Sequence, residues 1–497
     1  MKRKNKQKIS EISPAEALQQ SLQRFQPLLS PEEFTLLAAE VERPLLSAFR
    51  FNPLKTRAEA VADWAARYGW QVQPVPFCAQ GFRVDDRQGT PVSQTAEHRL
   101  GQYYIQEAAS MLPAELFTID PENPGLTLDL AASPGGKTTH LVSRTLDRGW
   151  ILANDSSQGR IPALRIVLQN WGAVNTAISQ FPGEKLGSWF PETFDRALID
   201  APCSMQGLRT AESHSSRPVT EKESASLAKR QEALLASALQ AVKVGGQVVY
   251  STCTLLPEED EGVVDAVLRR FGGSVKLVNV QPRLPAPAPG LIQNGEHVYA
   301  PELTGSVRLW PHRLNTAGFF ACLLEKTAPI DLPTQTPPAR SLERVGFRAL
   351  SREEENKLIQ QFAAEFSFDL AEILEKYQLR LVQRFEKVFA FPTPVLEEFS
   401  TLPLESAGLL LAEILPEGLI PGHEWISRFG SEFSQRKIAL SEQQAKAWLH
   451  GEDILDFSTT AASKGQILIV CTPAGLVIGR GKVLKDRLKN LLPRRLL

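Results

Sequence analysis

From Gly125 onward the sequence alternates short apolar runs of strand type with stretches of helical period, and this alternation constrains the fold more than any other feature. LTLDLA (126–131) is followed by a Gly turn and KTTHLVSRTL, then by GWILAND, a helical run around PALRIVLQNWG, VNTAISQ, and FDRALIDAP. A long helical segment and QVVYSTCT (247–254) complete the series. Strands that alternate with helices cannot pair as hairpins. They imply an α/β fold with a mostly parallel sheet covered by helices on both faces. The long helix is predicted from Leu227, Leu234, Leu235, Ala238, Leu239 and Val242, which recur at helical spacing before Gly245-Gly246 ends the run.

The 497 residues exceed one ordinary domain, and at roughly 150 residues per domain they suggest about three. With 43% hydrophobic and 22% charged residues the chain can bury several cores, which excludes wholesale disorder. Upstream, RPLLSAFRFNPLK and WQVQPVPFCAQGFRV mix helical and strand-like runs and suit a small α+β unit. Downstream, SVRLWPH and GFFACLLEK flank a turn containing Asn315 and Gly318 and read as an antiparallel hairpin closing the sheet. TAPIDLPTQTPPARS has the composition of a linker. Near the end, QILIVCTPAGLVIGRGKVL reads as a hairpin in a small β-barrel. The expected divisions are a basic tail (1–25), a small α+β domain (26–100), an α/β domain (101–328), a Pro-rich linker (329–342), an intermediate domain (343–410) and a C-terminal β domain (411–497).

The net charge of −1 announces no polyanionic partner, but charge is concentrated at the ends. MKRKNKQK carries five Lys/Arg, and Arg480 to Leu497 carries seven against Asp486. Either end could touch phosphate, or serve only solubility. The five cysteines form no CxxC pair and no His/Cys metal spacing, so neither a disulfide scaffold nor a metal site is expected. There is no apolar run of the roughly 18 residues that span a bilayer. A cytoplasmic protein with reduced thiols, not attached to a membrane, is expected.

Ala131, Ala132, Ser133, Pro134, Gly135, Gly136 and Lys137 form the turn after the first strand of the alternating region. Paired glycines admit a ligand close to the backbone, and the helix that follows offers its N-terminal N–H groups. The GxxxxGK[ST] spacing of a P-loop is absent. The next strand ends in Asn154-Asp155, where a carboxylate can grip a ribose diol, so turn and acid together indicate a nucleoside cofactor. Asp200-Ala201-Pro202-Cys203-Ser204 and Tyr250-Ser251-Thr252-Cys253-Thr254 end two later strands. One isolated cysteine is usually a small buried hydrophobe. Two at the carboxyl ends of parallel strands, the edge where α/β sheets carry their sites, point to chemistry.

LDLAASPGGKT, AND, FDRALIDAPCS, VVYSTCTLLPEEDEGVV and RLWPH…GFF, in that order, resemble the RNA cytosine-C5 methyltransferases of the Sun (fmu) family, as do FNPLK and YYIQEAASMLP upstream. The likeness spans about Phe49 to Lys326. GLVIGRGKVL and KNLLPRRL resemble the PUA-like tail of family members acting on small-subunit ribosomal RNA. The resemblance implies a Rossmann-like core binding S-adenosylmethionine through Ala131 to Lys137, with Asp155 on the ribose and Arg160 orienting that acid. Pro182, in FPGEK, stands where the family often carries an acid near the adenine, and Met205 stands where it has glycine. Cys253 would add as thiolate to C6 of cytosine and activate C5. Asp200 would hydrogen-bond the base near N3 while also bordering the cofactor, and Cys203 would help remove the C5 proton so that Cys253 leaves. A free thiol near pKa ~8.5 needs activation. A helix beginning near Pro257 would supply its N-terminal dipole, although Glu258, Glu259, Asp260 and Glu261 would themselves satisfy most of it.

Amino-directed methyltransferases share such a fold but carry Asn/Asp-Pro-Pro-aromatic where this chain has DAPC. The expected partner is RNA, small-subunit ribosomal RNA or an assembling subunit, met by a monomer. Transfer RNA as substrate, and a non-catalytic RNA-binding assembly factor, remain alternatives.

Overall fold

The computed structural model describes residues 14–209, 219–416, 418–455, 457 and 462–496. The basic run MKRKNKQK lies outside the described residues. The first sheet joins β1 (Ser47–Phe51), β2 (Gln71–Val75), β3 (Cys78–Asp85) and β4 (Tyr103–Ile105) in the antiparallel order β2-β3-β1-β4. Phe49, Trp64, Trp70 and Tyr103 form its aromatic core. Because β4 pairs with β1, this sheet continues past residue 100.

The alternating region folds into β5 (Leu126–Asp129), β6 (Trp150–Asn154), β7 (Thr176–Ser179), β8 (Phe194–Asp200) and β9 (Val242–Thr252), all parallel to their sheet neighbours among these five. Their order is β9-β8-β5-β6-β7, so the chain leaves β5 in one direction and returns to its other side at β8. Such a reversal opens a crevice beyond the carboxyl ends of β5 and β8. Side chains alternate between two cores: Ala197 and Ile199 join one cluster with Leu234, Leu235 and Val263, while Leu198 joins another with Leu141, Leu164 and Leu168.

The helix Glu221–Ala241 starts at Thr220, whose hydroxyl accepts the Glu223 N–H at 3.2 Å. It ends one residue earlier than its periodicity suggests. Val242 opens β9, and Gly245, at φ +86°, lies inside that strand instead of terminating the helix. Strand Phe319–Lys326 pairs antiparallel with β9, and Val307–Leu309 pairs antiparallel with it in turn. This hairpin does not close the sheet, because β10 (Val275–Val278) pairs with the same strand at Leu323–Lys326. At the opposite edge Ser406–Ala407 pairs with β7.

Arg348–Ala349, Leu379–Arg384, Lys387–Pro392, Leu409–Leu415 and Gly418–Pro421 form a five-stranded antiparallel sheet. Leu409–Leu415 belongs wholly to this sheet, across the expected division at 410/411. A separate five-stranded sheet contains the Ile467–Cys471/Val477–Val483 hairpin, packed on Trp448. Ion pairs and hydrogen bonds tie the units together at the C-terminal end of helix Ile161–Trp171. The Lys55 ammonium donates to Leu100 O, Asn170 O and Ser427 Oγ at 2.7–3.0 Å. Burial lowers its pKa to about 7, with Arg428 adding to the shift. Arg428 donates to Leu54 O and to the Tyr377 hydroxyl, and Arg495 bonds Asn170 and Glu424. Part of the C-terminal basic run is therefore committed within the molecule: Arg495 here, and Arg487 in an ion pair with Asp453. Among the described residues no helix is long and apolar enough to cross a membrane.

Candidate active site

The turn after β5 is built to bring backbone close to a ligand. Gly135 caps helix Gly136–Arg144 at φ +116°, a conformation that other residues rarely adopt. A Cβ on Gly135 would lie 2.9 Å from Val167 Cγ1, and one on Gly136 would lie 2.8 Å from Tyr104 Cε1. Gly135 is thus required by packing as well as by conformation, and Gly136 by packing. Arg50, wholly buried, reaches from β1 to hold the first helical turn, donating to Gly136 O at 3.0 Å and Thr139 Oγ1 at 2.8 Å. Its guanidinium lies 4.7 Å from the Trp171 ring centroid. The far side of the turn is tied to the end of β6: the Asp155 carboxylate accepts the Ser133 N–H at 3.2 Å and the Ser157 N–H at 2.8 Å. Arg160 pairs with Asp155 at 3.4 Å and donates to Ser133 O. Pro182 lies exposed at the start of the helix Gly183–Trp189 that follows β7, next to the Asn154–Phe181 hydrogen bonds.

Asp129, the last residue of β5, is 1% exposed, and burial pushes its carboxyl up to about 7. Thr138 Oγ1 donates to it at 2.7 Å. Lys137 turns the other way: its ammonium donates to Asp200 Oδ2 and Ser110 Oγ, each at 2.7 Å, and lies 5.4 Å from the Phe319 ring centroid. Ser251 Oγ donates to Asp200 Oδ1 at 3.2 Å. The Asp200 carboxylate is thereby fixed, yet its side chain remains 35% exposed toward the crevice.

Cys203 and Cys253 follow the ends of the neighbouring strands β8 and β9, and their sulfurs share a hydrogen bond at 3.0 Å. This is well beyond the ~2.05 Å of a disulfide, and both thiols are free. The hydrogen bond to Cys253, together with burial, raises the Cys203 pKa well above its ordinary value. Opposing this, the Met205 N–H donates to the Cys203 sulfur. Met205 sits at φ +59° and is 43% exposed, which gives the physical reason that glycine suits this position. Gly207 lets the two cysteine loops touch, since a Cβ there would fall 2.9 Å from Cys253 O.

The expected dipole source for Cys253 is not realised. Pro257 to Asp260 form a turn, and the helix runs Glu261–Phe271. Glu259, Asp260 and Glu261 are fully buried and committed elsewhere. Glu259 accepts the Ser204 N–H at 3.0 Å, Asp260 accepts Thr252 Oγ1 at 2.5 Å and pairs with Arg308 at 3.2 Å, and Glu261 pairs with Arg308. Arg308 also donates to Leu255 O at 2.8 Å, which fixes the loop carrying Cys253. Lys137 and Asp200 pair at 2.7 Å and Cys203 and Cys253 at 3.0 Å at the carboxyl ends of β5, β8 and β9, while Asp155, Arg160 and Pro182 follow the carboxyl ends of β6 and β7. Sequence reasoning missed Asp129, Ser110 and Arg308. The acid in LTLDLA at a strand end, and an arginine inside the apolar run SVRLWPH, were the available signals.

A glycine turn at the reversal point of a parallel sheet, a buried acid beside it and two thiols on adjacent strand ends are the arrangement expected of an S-adenosylmethionine-dependent methyltransferase, and the comparisons with known proteins show that class, acting on RNA. Residues 116–325 match the family model described as 16S rRNA methyltransferase RsmB/F. Residues 19–108 match the N-terminal domain of 16S rRNA methyltransferase RsmF, and residues 435–497 the methyltransferase RsmF PUA domain. The chain is 32% identical over 466 residues to ribosomal RNA small subunit methyltransferase F of Psychromonas ingrahamii, covering 92% of both chains. It is 33% identical over 471 residues to the protein of that name from Aeromonas hydrophila subsp. hydrophila, covering 94% of both. The chain belongs to this family of ribosomal RNA small subunit methyltransferase F proteins. A methyltransferase homolog from Pyrococcus horikoshii superimposes with a TM-score of 0.53 at 30% identity, covering 63% of this chain and all of that one.

Proposed function

We propose that the protein methylates C5 of cytosine in small-subunit ribosomal RNA, free or in an assembling subunit, acting as a cytoplasmic monomer. The observation that carries the reaction is the pair of free thiols, 3.0 Å apart, beside a carboxylate held by Lys137 and Ser251. The family membership and the C-terminal PUA match support ribosomal RNA over transfer RNA. They also support the reading of the N-terminal and C-terminal units as RNA-binding domains flanking the catalytic one.

Ala131 to Lys137, with Asp155, Arg160, Pro182 and the edge of Asp200, would hold the cofactor. The turn fits a zwitterionic amino-acid group: a helix N-terminus faces a carboxylate favourably, and a nearby cation would relieve the buried Asp129 carboxyl. S-adenosylmethionine would supply an electrophilic methyl group on a sulfonium, which the activated C5 would take up while the S–CH3 electron pair stays on the sulfur of the departing neutral thioether.

The remaining work falls to the chain. The Cys253 thiolate adds to C6, forming the S–C6 bond and moving the displaced electron pair toward C5, which becomes nucleophilic. The Asp200 carboxylate accepts a hydrogen bond from the base in its N3-protonated form, and that N3 proton takes up the negative charge the thiolate brings. Once Cys253 is bonded to carbon, the largest influence holding Cys203 protonated, its hydrogen bond to Cys253, no longer exists. The Cys203 proton then passes to solvent against the remaining cost of burial, with the Met205 N–H supporting the thiolate. It next takes the proton from C5, the C5–H electron pair re-forms the C5=C6 bond, and the C6–S pair departs with Cys253.

Bisulfite sequencing of total RNA from cells with and without the protein tests the assignment. A protected cytosine in small-subunit ribosomal RNA that is lost with the protein supports it. Protection lost only from transfer RNA, or from no RNA, overturns it.

A further inference from the structure

Cys203 is gripped from both sides by side chains that touch neither thiol. The peptide before it offers Pro202 O, which accepts Gln231 Nε2 at 2.9 Å. The peptide after it offers the Ser204 N–H, which donates to Glu259 Oε2 at 3.0 Å. Gln231 and Glu259 are joined to one another, Nε2 to Oε2 at 3.0 Å, and Ser224 Oγ supports Glu259 Oε1 at 3.3 Å. Gln231 and Glu259 are wholly buried. The bracket therefore links helix Glu221–Ala241 and the turn before helix Glu261–Phe271 to the loop that carries Cys203.

Packing alone does not call for this glutamine. Its Oε1 is buried without a hydrogen-bond partner, a cost that leucine or methionine would avoid at similar volume. An amide flip would set its carbonyl against Pro202 O and Glu259, so both of its bonds fix one orientation. A polar group kept at a cost, and spent on the backbone flanking one thiol, serves the placement of that thiol.

We infer that Gln231 and Glu259 are positioning residues for the second half of the reaction: they hold Cys203 where it can take the C5 proton and release the RNA from Cys253. This rests on the assignment of Cys253 as nucleophile and Cys203 as releasing base. The Cys253 loop has its own anchor in Arg308, which donates to Leu255 O, and meets the Cys203 loop beyond the bracket, at Ser204 Oγ–Thr254 Oγ1 (3.1 Å) and Leu255 N–Gln206 O (3.3 Å), so loss of the bracket is expected to weigh on release more than on attack.

The test uses the full-length protein with S-adenosylmethionine and an RNA substrate, comparing wild type, Q231M, E259Q and Cys203→Ala. Q231M is expected to lower steady-state turnover at least tenfold while retaining a first burst of methyl transfer of about one per enzyme. It is also expected to accumulate a covalent RNA–protein adduct on denaturing gels, as Cys203→Ala does. E259Q presents an amide to the Gln231 amide and is expected to shift the same way, which covers the case in which Q231M does not fold. Loss of burst and turnover together without adduct, or unchanged turnover in both variants, overturns the inference. If Cys203→Ala traps adduct and the bracket variants do not, only the inference fails. If Cys203→Ala traps none, the underlying assignment fails.

Discussion

Replacing Asp129 by asparagine should change how stability depends on pH, in a direction and size that follow from its burial. The carboxyl is 1% exposed and its pKa is about 7, whereas an unfolded chain titrates an aspartate at about 3.9. The folded state therefore holds a proton that the unfolded state releases. The contribution is fully present below about pH 4, is lost as pH rises toward 7, and is level above that. A difference of about 3 pKa units at ~1.4 kcal/mol each amounts to about 4 kcal/mol. The amide introduced by D129N does not titrate, so the stability of the variant relative to wild type should grow by about 1.4 kcal/mol per pH unit between pH 5 and 6 and by about half that rate at pH 7. Whatever that amide costs in its contact with Thr138 offsets both ends equally. Urea unfolding of both proteins at pH 5, 6, 7 and 8, without cofactor, measures the difference. Parallel curves, or a D129N protein that loses ground as pH rises, would refute the account of Asp129 as an acid suppressed by burial.

Two further substitutions probe the scaffold of the site. Arg308→Met leaves Asp260 and Glu261 buried without their cation and should cost about 3–5 kcal/mol in urea unfolding at pH 7; a cost below ~1 kcal/mol would show that the network is immaterial to the fold. Gly135→Ala places a Cβ 2.9 Å from Val167 at φ +116°, adding strain on the order of 2 kcal/mol to the turn. Calorimetric titration should show S-adenosylmethionine affinity reduced at least tenfold, and an unchanged affinity would remove the turn from the cofactor site.

Much of the core was legible because parallel strands buried on both faces leave continuous apolar runs, and the glycine turn and both cysteines sit at their carboxyl ends. Local pattern failed where local and tertiary preferences diverge. Val242 fits the helical period of its predecessors, yet it pairs with Phe194 of β8 as the first residue of β9. The acids after Pro257 look like the first turn of a helix, but Arg308, about fifty residues on, and Ser204, as far before, claim them. Lys137 reads as part of the cofactor turn, while its ammonium reaches Asp200, sixty-three residues away. The basic C-terminal run looks solvated, and Arg495 instead anchors the tail to Glu424 and Asn170. In each case the partner is distant in sequence and carries no local signature.

The division of labour between the two thiols is open to direct measurement. Purified wild type, Cys253→Ala, Cys203→Ala and the double variant, incubated with S-adenosylmethionine and end-labelled small-subunit ribosomal RNA, would be resolved on a denaturing gel. Cys203→Ala alone should retain a slow-migrating, protease-sensitive RNA adduct, with the double variant and Cys253→Ala giving neither adduct nor methylation. Methylation by Cys253→Ala, or an adduct that persists in the double variant, would contradict the assignment of Cys253 as nucleophile.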